Sequence, residues 1–258
     1  MERNKSKIPF VGLHAHSVAG SVFDGFGYPQ EHMDFAYQNG MNALALTDHG
    51  NMNGLSYQIL HAKKMKAEGK SFKPVFGVEA YFVDSIKAWK EEYEKVKLDK
   101  KKARKVINDT DKVEAEDEGA SKSKSKSKIN SYGHLVLLAT NQTGLNNIFK
   151  IVSDSHQGDS FYRKPRLDYN MLKKHGEGVI ASSACLGGVY AQDYWNNREA
   201  GPEFVLKAMR TTTRHMIDCL GDRWYGELQW NNVPAQHELN KFVIQMHEEF
   251  GIELISTA

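Results

Sequence analysis

Seven short apolar runs recur along the 258-residue chain, and most of them are separated by stretches with helical spacing. The runs are Phe10–His14, Ala43–Thr47, Pro74–Phe82, Leu135–Ala139, Gly178–Ser182, Trp224–Leu228 and Ile252–Ser256. Their length and their bounding turn residues predict strands. Between them, Pro29–Asn39 is closed by Gly40, Asn53–Glu68 by Gly69 and Pro234–Phe250 by Gly251, while Thr143–Ser155 is followed by Gly158. Glycine is the residue that most readily ends a helix in a left-handed turn. In Pro202–Leu220, the residues Val205, Met209, Met216 and Leu220 share one face, which is core spacing. Strands alternating with helices predict an α/β architecture, with parallel strands that close into a barrel or lie in an open sheet.

One segment breaks the pattern. Residues 85–131 hold fourteen basic and ten acidic side chains and end in four Ser-Lys repeats, Ser121 to Lys128. The segment therefore carries +4 and the rest of the chain −2. Lys87 to Ile107 can form a charged helix through Trp89, Tyr93, Val96 and Lys100, whereas the later part lacks apolar residues to offset ordering entropy and is expected to be flexible. A solvated insertion within a single domain is the plainer reading, and an arm that touches nucleic-acid phosphates the sharper one. The net charge of +2 excludes a uniformly basic nucleic-acid coat. No apolar run approaches the ~20 residues needed to span a bilayer and no signal peptide is evident, so a cytoplasmic protein without a membrane partner is expected. Cys185 and Cys219 are too few for a disulfide framework.

In parallel α/β folds, ligands gather at the C-terminal ends of strands. Metal-capable side chains stand near such ends repeatedly here. His14 and His16 close the first run as His-Ala-His, a spacing that turns both imidazoles to one side of an extended chain. Asp24 follows in a glycine-flanked loop, Asp48 and His49 end the second run, Glu79 lies late in the third, His134 opens the fourth and Cys185 follows the fifth. Imidazole, carboxylate and thiolate together suit Zn²⁺, Mn²⁺ or Fe better than Ca²⁺ or Mg²⁺. Several such ions sharing carboxylates generate hydroxide near neutral pH and clamp a phosphoryl group.

Each residue alone has a duller explanation. A single histidine near a strand end is more often a hydrogen-bonded structural residue, and Asp48 is also placed to cap a helix. Glu79 in an apolar strand is harder to dismiss, because a buried carboxylate must be paired or metal-bound. His32, His61, His156, His175, His215, His237 and His247 are read as surface or helix residues, and Cys219 as a small core side chain. The loop Phe161-Tyr162-Arg163-Lys164-Pro165-Arg166 mixes aromatic and cationic residues, which suits stacking and phosphate contact, or else forms a solvated turn before a helix at Asp168. Glu227 and Gln229 share a strand face and are candidates to orient metal-binding histidines.

These motifs resemble the PHP family (polymerase and histidinol phosphatase), and within it the N-terminal domains of bacterial DNA polymerase III alpha subunits. The resemblance rests on Phe10-Val11-Gly12-Leu13-His14-Ala15-His16-Ser17, Asp24-Gly25, Ala45-Leu46-Thr47-Asp48-His49-Gly50-Asn51-Met52 and Gly77-Val78-Glu79-Ala80-Tyr81. It continues through His134–Ala139, Phe161–Asp168 and Ser183-Ala184-Cys185-Leu186-Gly187-Gly188, so that it spans nearly the whole chain outside 85–131. It implies a distorted (β/α)7 barrel with up to three Zn²⁺, Mn²⁺ or Fe ions at the C-terminal rim. Seven of the family's nine ligands map onto His14, His16, Asp24, His49, Glu79, His134 and Cys185. Asp48 and Arg166 are the candidate catalytic residues, Arg166 as a phosphate clamp.

The family's last ligands, an Asp-x-His after the seventh strand, should begin where Ile255-Ser256-Thr257-Ala258 ends the sequence. The domain is thus expected to be C-terminally incomplete, by truncation, an intein or a split gene, and to hold fewer ions. The polymerase active site is not in these residues. The implied function is DNA replication with metal-dependent phosphodiester hydrolysis of the 3′–5′ proofreading kind, in a bacterial cytoplasm or a phage-infected host. The implied partners are single-stranded or primer-template DNA, the remaining polymerase domains and a proofreading exonuclease subunit. The alternatives are a silent scaffold for polymerase assembly and a small-molecule phosphatase.

Overall fold

The computed structural model describes residues 10–110 and 132–257. Its strands are β1 (Ala43–Leu46), β2 (Lys73–Phe82), β3 (Gly133–Ala139), β4 (Phe161–Tyr162), β5 (Lys164–Leu167), β6 (Val179–Ser182), β7 (Trp224–Gln229) and β8 (Glu253–Thr257). The helices are α1 (Pro29–Gln38), α2 (Leu55–Ala67), α3 (Ile86–Thr110), α4 (Gln142–Ser155), α5 (Tyr169–His175), α6 (Val189–Asn197), α7 (Pro202–Leu220) and α8 (Pro234–Phe250).

Six of the seven expected strands form ladders. The seventh, Phe10–His14, is held beside β1 by a single bridge from Gly12 to Leu44, with the N–H groups of Ala45 and Thr47 donating to the carbonyls of Gly12 (2.7 Å) and Ala15 (2.8 Å). The N-terminal segment, β1, β2, β3, β6, β7 and β8 then follow one another around a curled sheet. Among the described residues no ladder joins β8 back to the N-terminal segment, so the barrel is open there.

The expectation of uniformly parallel strands fails at one place. β3 runs antiparallel to both β2 and β6, while β1–β2, β6–β7 and β7–β8 are parallel. The chain leaves the sheet at the end of β2 and returns to it beside that same end, so β3 runs back the other way. This reversal sets Tyr81, late in β2, opposite His134, early in β3. A histidine that opens its strand thereby reaches the end where the other strands finish.

Apolar faces of α4, α6, α7 and α8 cover the outside of the sheet, with Leu135, Leu137, Ile148, Met209, Trp224 and Val243 fully buried. Pro202 and Pro234 begin α7 and α8, where a missing N–H costs nothing, and Gly221 and Gly251 end them with φ of 63° and 67°. The charged helix expected at Lys87 to Ile107 is α3, anchored by Trp89, Tyr93 and Val96 against Tyr132 and Tyr162. The part of the insertion with the Ser-Lys run, residues 111–131, lies outside the described residues. Two elements had no expected counterpart, the β4–β5 hairpin and α6.

Candidate metal centre

All seven expected ligand positions converge at one end of the sheet. His14, His16 and Glu79 form one group of mutually close donor atoms, His16, Asp24 and His49 a second, and His49, Glu79 and His134 a third. Cys185 completes the cluster, its Sγ 3.7 Å from His134 Nδ1 and 3.9 Å from Glu79 Oε1.

Glu79 sits at the middle and is 1% exposed. Its Oε1 faces His134 Nδ1 at 2.9 Å and His14 Nε2 at 3.3 Å, and its Oε2 faces His49 Nδ1 at 3.0 Å and His16 Nε2 at 3.1 Å. Asp24 Oδ2 reaches His49 Nε2 at 2.7 Å and His16 Nδ1 at 3.6 Å. Burial alone would push Glu79 up. The close imidazoles of His134, His14, His16 and His49 outweigh it and hold the carboxyl well below the usual carboxylate range. Burial likewise opposes protonation of His134, yet its bonds to Cys185 and Glu79 push it up to about 9.

The local chain explains how each side chain arrives. The N–H of Gly50 donates to the Glu79 carbonyl, and that of Glu79 to the Asp48 carbonyl, which locks the His49 turn to β2. Gly50 has φ +67°, and a Cβ there would meet Pro165 Cγ at 2.7 Å, so only glycine lets the β4–β5 hairpin close over this turn. Ala184 adopts φ +58° just before Cys185, a strained conformation of the kind stored at functional sites. The Gly187 N–H then donates to Cys185 Sγ at 3.3 Å.

Further residues orient one of the candidate ligands, His14. His14 Nδ1 and Glu227 Oε1 are 2.8 Å apart, which leaves Nε2 aimed at the centre. Glu227 is in turn held by hydroxyls of Ser182 (2.6 Å) and Thr257 (2.7 Å) and by the amide of Gln229 (3.2 Å). Of the two residues expected to orient histidines, Glu227 contacts His14, and Gln229 reaches Glu227 instead.

Asp48 and Arg166, the two expected catalytic residues, are both buried and engaged by the protein itself. Asp48 is 3% exposed and accepts from the Ser17 N–H (2.6 Å), Ser17 Oγ (2.8 Å) and Ser21 Oγ (3.0 Å), so its carboxylate braces the 17–21 loop. Arg166 is 1% exposed. Its Nη1 donates to the carbonyls of Tyr162 (2.7 Å) and Lys164 (2.9 Å), and the guanidinium lies 4.2 Å over the Trp89 ring, pinning the hairpin to α3. The cation at the mouth is Lys164, whose Nζ donates to Tyr81 Oη at 2.9 Å, beside a ring stacked on His49. The sequence reading names this loop for phosphate contact and singles out Arg166 from it rather than Lys164. His61, His156, His175 and His247 are engaged by Asp34, the Val152 carbonyl, Asp154 and the Ile252 carbonyl, as expected for structural histidines.

These placements separate two roles within one hairpin. Arg166→Ala is expected to lower unfolding free energy by about 3 kcal/mol, since it removes stacking and two charge-assisted hydrogen bonds from a buried site. Urea denaturation checks this, and a loss below about 1 kcal/mol would refute the pinning role.

The donor set also fits metal ions on structural grounds. Glu79 Oε2, His16 Nδ1 and His49 Nδ1 are buried without a well-formed hydrogen bond, although each lies within 3.6 Å of an opposite partner in the cluster. Donor atoms packed this closely with poor hydrogen-bond geometry are arranged as ligands are around cations. Among the described residues, no helix is long and apolar enough to cross a membrane.

A DNA polymerase III subunit alpha of Aquifex aeolicus is 34% identical over 251 residues, which cover 96% of this chain and 18% of that protein. The corresponding subunit of Thermus aquaticus is 28% identical over 254 residues, 98% of this chain and 17% of the relative. The chain therefore spans less than a fifth of the length of these relatives. Among solved structures, an amidohydrolase from Chromobacterium violaceum aligns with a TM-score of 0.47 and 13% identity, covering 96% of this chain and 86% of the other. The PHP domain family matches residues 12–231. That span takes in all seven converging ligand positions and the Glu227 that orients one of them, and the chain belongs to the PHP domain family.

Proposed function

We propose that this chain is the metal-dependent phosphoesterase part of a replicative DNA polymerase III alpha subunit, acting on phosphodiesters at a DNA 3′ end. The observation that carries the reading is Glu79, a buried carboxylate with one oxygen close to His14 and His134 and the other close to His16 and His49, so that it would serve as a ligand together with all four. Zn²⁺, Mn²⁺ or Fe held by His14, His16, Asp24, His49, Glu79, His134 and Cys185 would polarise a phosphoryl oxygen and lower the pKa of water. The chain's own residues do the rest. Glu227 fixes the tautomer of His14, Asp48 holds the loop that carries Asp24, and Tyr81 and Tyr132 wall the centre beside His134. Lys164 takes the phosphate contact at the mouth, and the surrounding polymerase is the partner this part serves, in a bacterial or phage-infected cytoplasm. A proofreading exonuclease subunit is the further partner in that setting.

The test is elemental analysis after loading with Mn²⁺ or Zn²⁺, followed by an assay on a single-stranded oligonucleotide labelled at its 5′ end. Two or more ions per chain and stepwise shortening from the 3′ end, abolished by a chelator, are expected. A phosphomonoester turned over in preference to the oligonucleotide would favour a small-molecule phosphatase, and no bound metal a scaffold. In the same assay Lys164→Ala is expected to lower kcat/KM about tenfold to a hundredfold at unchanged metal content, the range for loss of one charge-assisted contact.

A further inference from the structure

Two aromatic rings beside the centre contribute nothing to the core. Phe23 and Phe26 are 104% and 89% exposed, the highest values among the large apolar side chains of the described residues. They flank Asp24, whose carboxylate reaches His49 and His16. The loop that presents them is held firmly. The Val18 N–H donates to the Gly27 carbonyl at 2.9 Å, the Gly25 N–H to the Ser21 carbonyl at 2.6 Å and the Asn51 amide to the Gly20 carbonyl at 2.8 Å. Asp48 ties Ser17 and Ser21 together from beneath. A Cβ at Gly25 would meet the Ser17 carbonyl oxygen at 2.3 Å, so the backbone there is packed against itself. Nearby, Tyr28 and Tyr57, 48% and 45% exposed, pair with ring centroids 6.0 Å apart.

Phenylalanine fully in water forgoes the burial that normally stabilises a fold. Two such rings on a braced loop, next to candidate ligands for cations and near the cationic Lys164, whose charge the Asp24 carboxylate reaches, combine the two elements of single-strand recognition, a flat π surface for bases and positive charge for the backbone. We propose that Phe23 and Phe26 are stacking platforms for unpaired bases of single-stranded nucleic acid whose terminal phosphodiester lies at the metal centre. This rests on the phosphoesterase reading above and narrows its substrate. Bases within a duplex are already stacked on one another, and a simple phosphate ester has no base, so the rings select an unpaired strand.

The test measures binding rather than turnover. The full chain, kept in chelator, is titrated into a fluorescein-labelled oligothymidylate and into an abasic strand of the same length, with anisotropy as the readout. Phe23→Ala with Phe26→Ala is expected to weaken oligothymidylate binding about tenfold per ring and to leave abasic binding unchanged. Phe23→Trp with Phe26→Trp should retain or improve affinity. The Leu pair, apolar but without a π face, should lose it as the Ala pair does. All three double variants should melt with the wild type, because the rings are in solvent. Equal wild-type affinity for the abasic strand, or wild-type affinity in the Leu pair, would overturn the proposal, and the latter would point to an apolar protein contact. Hydrolysis of bis(p-nitrophenyl) phosphate by the metal-loaded wild-type chain tests the phosphoesterase reading separately. Its failure there would leave the binding result standing.

Discussion

Glu79→Gln is expected to strip the chain of most of its bound metal and to destabilise it even when metal is absent. In the metal-free chain, Glu79 is a 1% exposed carboxylate within 3.3 Å of four imidazoles, and removing one partner of a buried ion pair costs about 3–5 kcal/mol. With metal present, the wild type gains about a further 4 kcal/mol when free ion exceeds its Kd a thousandfold, and a variant that cannot bind gains none. The pH dependence has a defined sign. The folded-state carboxyl lies below its unfolded value, so Glu79 stabilises above about pH 4 and that contribution is lost as pH falls. His134 is raised to about 9, so its contribution is full below about pH 6.5 and is lost as pH rises toward 9. The metal-free wild type should therefore lose stability between pH 6.5 and 9, and Glu79→Gln should flatten that decline. Elemental analysis and melting curves with and without chelator check each part. Wild-type metal stoichiometry in the variant would remove Glu79 from the ligand set.

Much of this centre was legible because its ligands carry chemical signatures that survive without coordinates. His14 and His16 declare a shared direction by their spacing, and Glu79 is conspicuous because the strand around it is otherwise apolar. Asp48 was also within reach of the same rule. Neighbours in an extended segment point to opposite sides, so with His49 turned to the centre, Asp48 had to face the loop at Ser17 and Ser21. That Lys164 reaches Tyr81 while Arg166 is buried against α3 was not within reach. Both stand two residues apart on one hairpin, and what decides between them is that α3 offers the Trp89 ring to Arg166, a long-range packing event without a local sequence signal.

The fold divides along the same line. Pro202–Leu220 and Pro234–Phe250 could be read to the residue, since a proline opens and a glycine follows each helix. The direction of β3 could not, because Leu135–Ala139 has the same apolar pattern read either way. Direction depends on where the preceding connection brings the chain back, which is a property of the whole sheet. That reversal is nonetheless what delivers His134 to Glu79.

Asp193→Asn should do the opposite of Glu79→Gln and stabilise the chain, by about 4 kcal/mol at pH 8, with no change in bound metal. Asp193 lies on α6 in a cleft lined by Asp84, Trp89, Tyr132 and Thr212, with none of the seven candidate ligands in its lining. Burial raises its carboxyl to about 7, against which the Thr212 hydroxyl, donating at 2.7 Å, is insufficient, and Asp84 adds like charge. A folded-state value above the unfolded 3.8 means that the native chain holds this proton more tightly. Stability therefore falls as pH rises from about 4 to 7 and stays at the lower level above it, by 1.36 kcal/mol for each pH unit of displacement. Asparagine keeps an acceptor for Thr212 and cannot ionise, so its advantage should be full at pH 8 and vanish near pH 4. Urea denaturation of both chains at the two pH values isolates this from every other titrating group, and an equal difference at both would refute it. One buried and one half-buried carboxylate in the same molecule thus respond oppositely. Glu79 is ringed by imidazoles that need its charge, while Asp193 has a single hydroxyl and a second acid nearby, so of the two it is Glu79 that is placed to exchange its protein partners for cations.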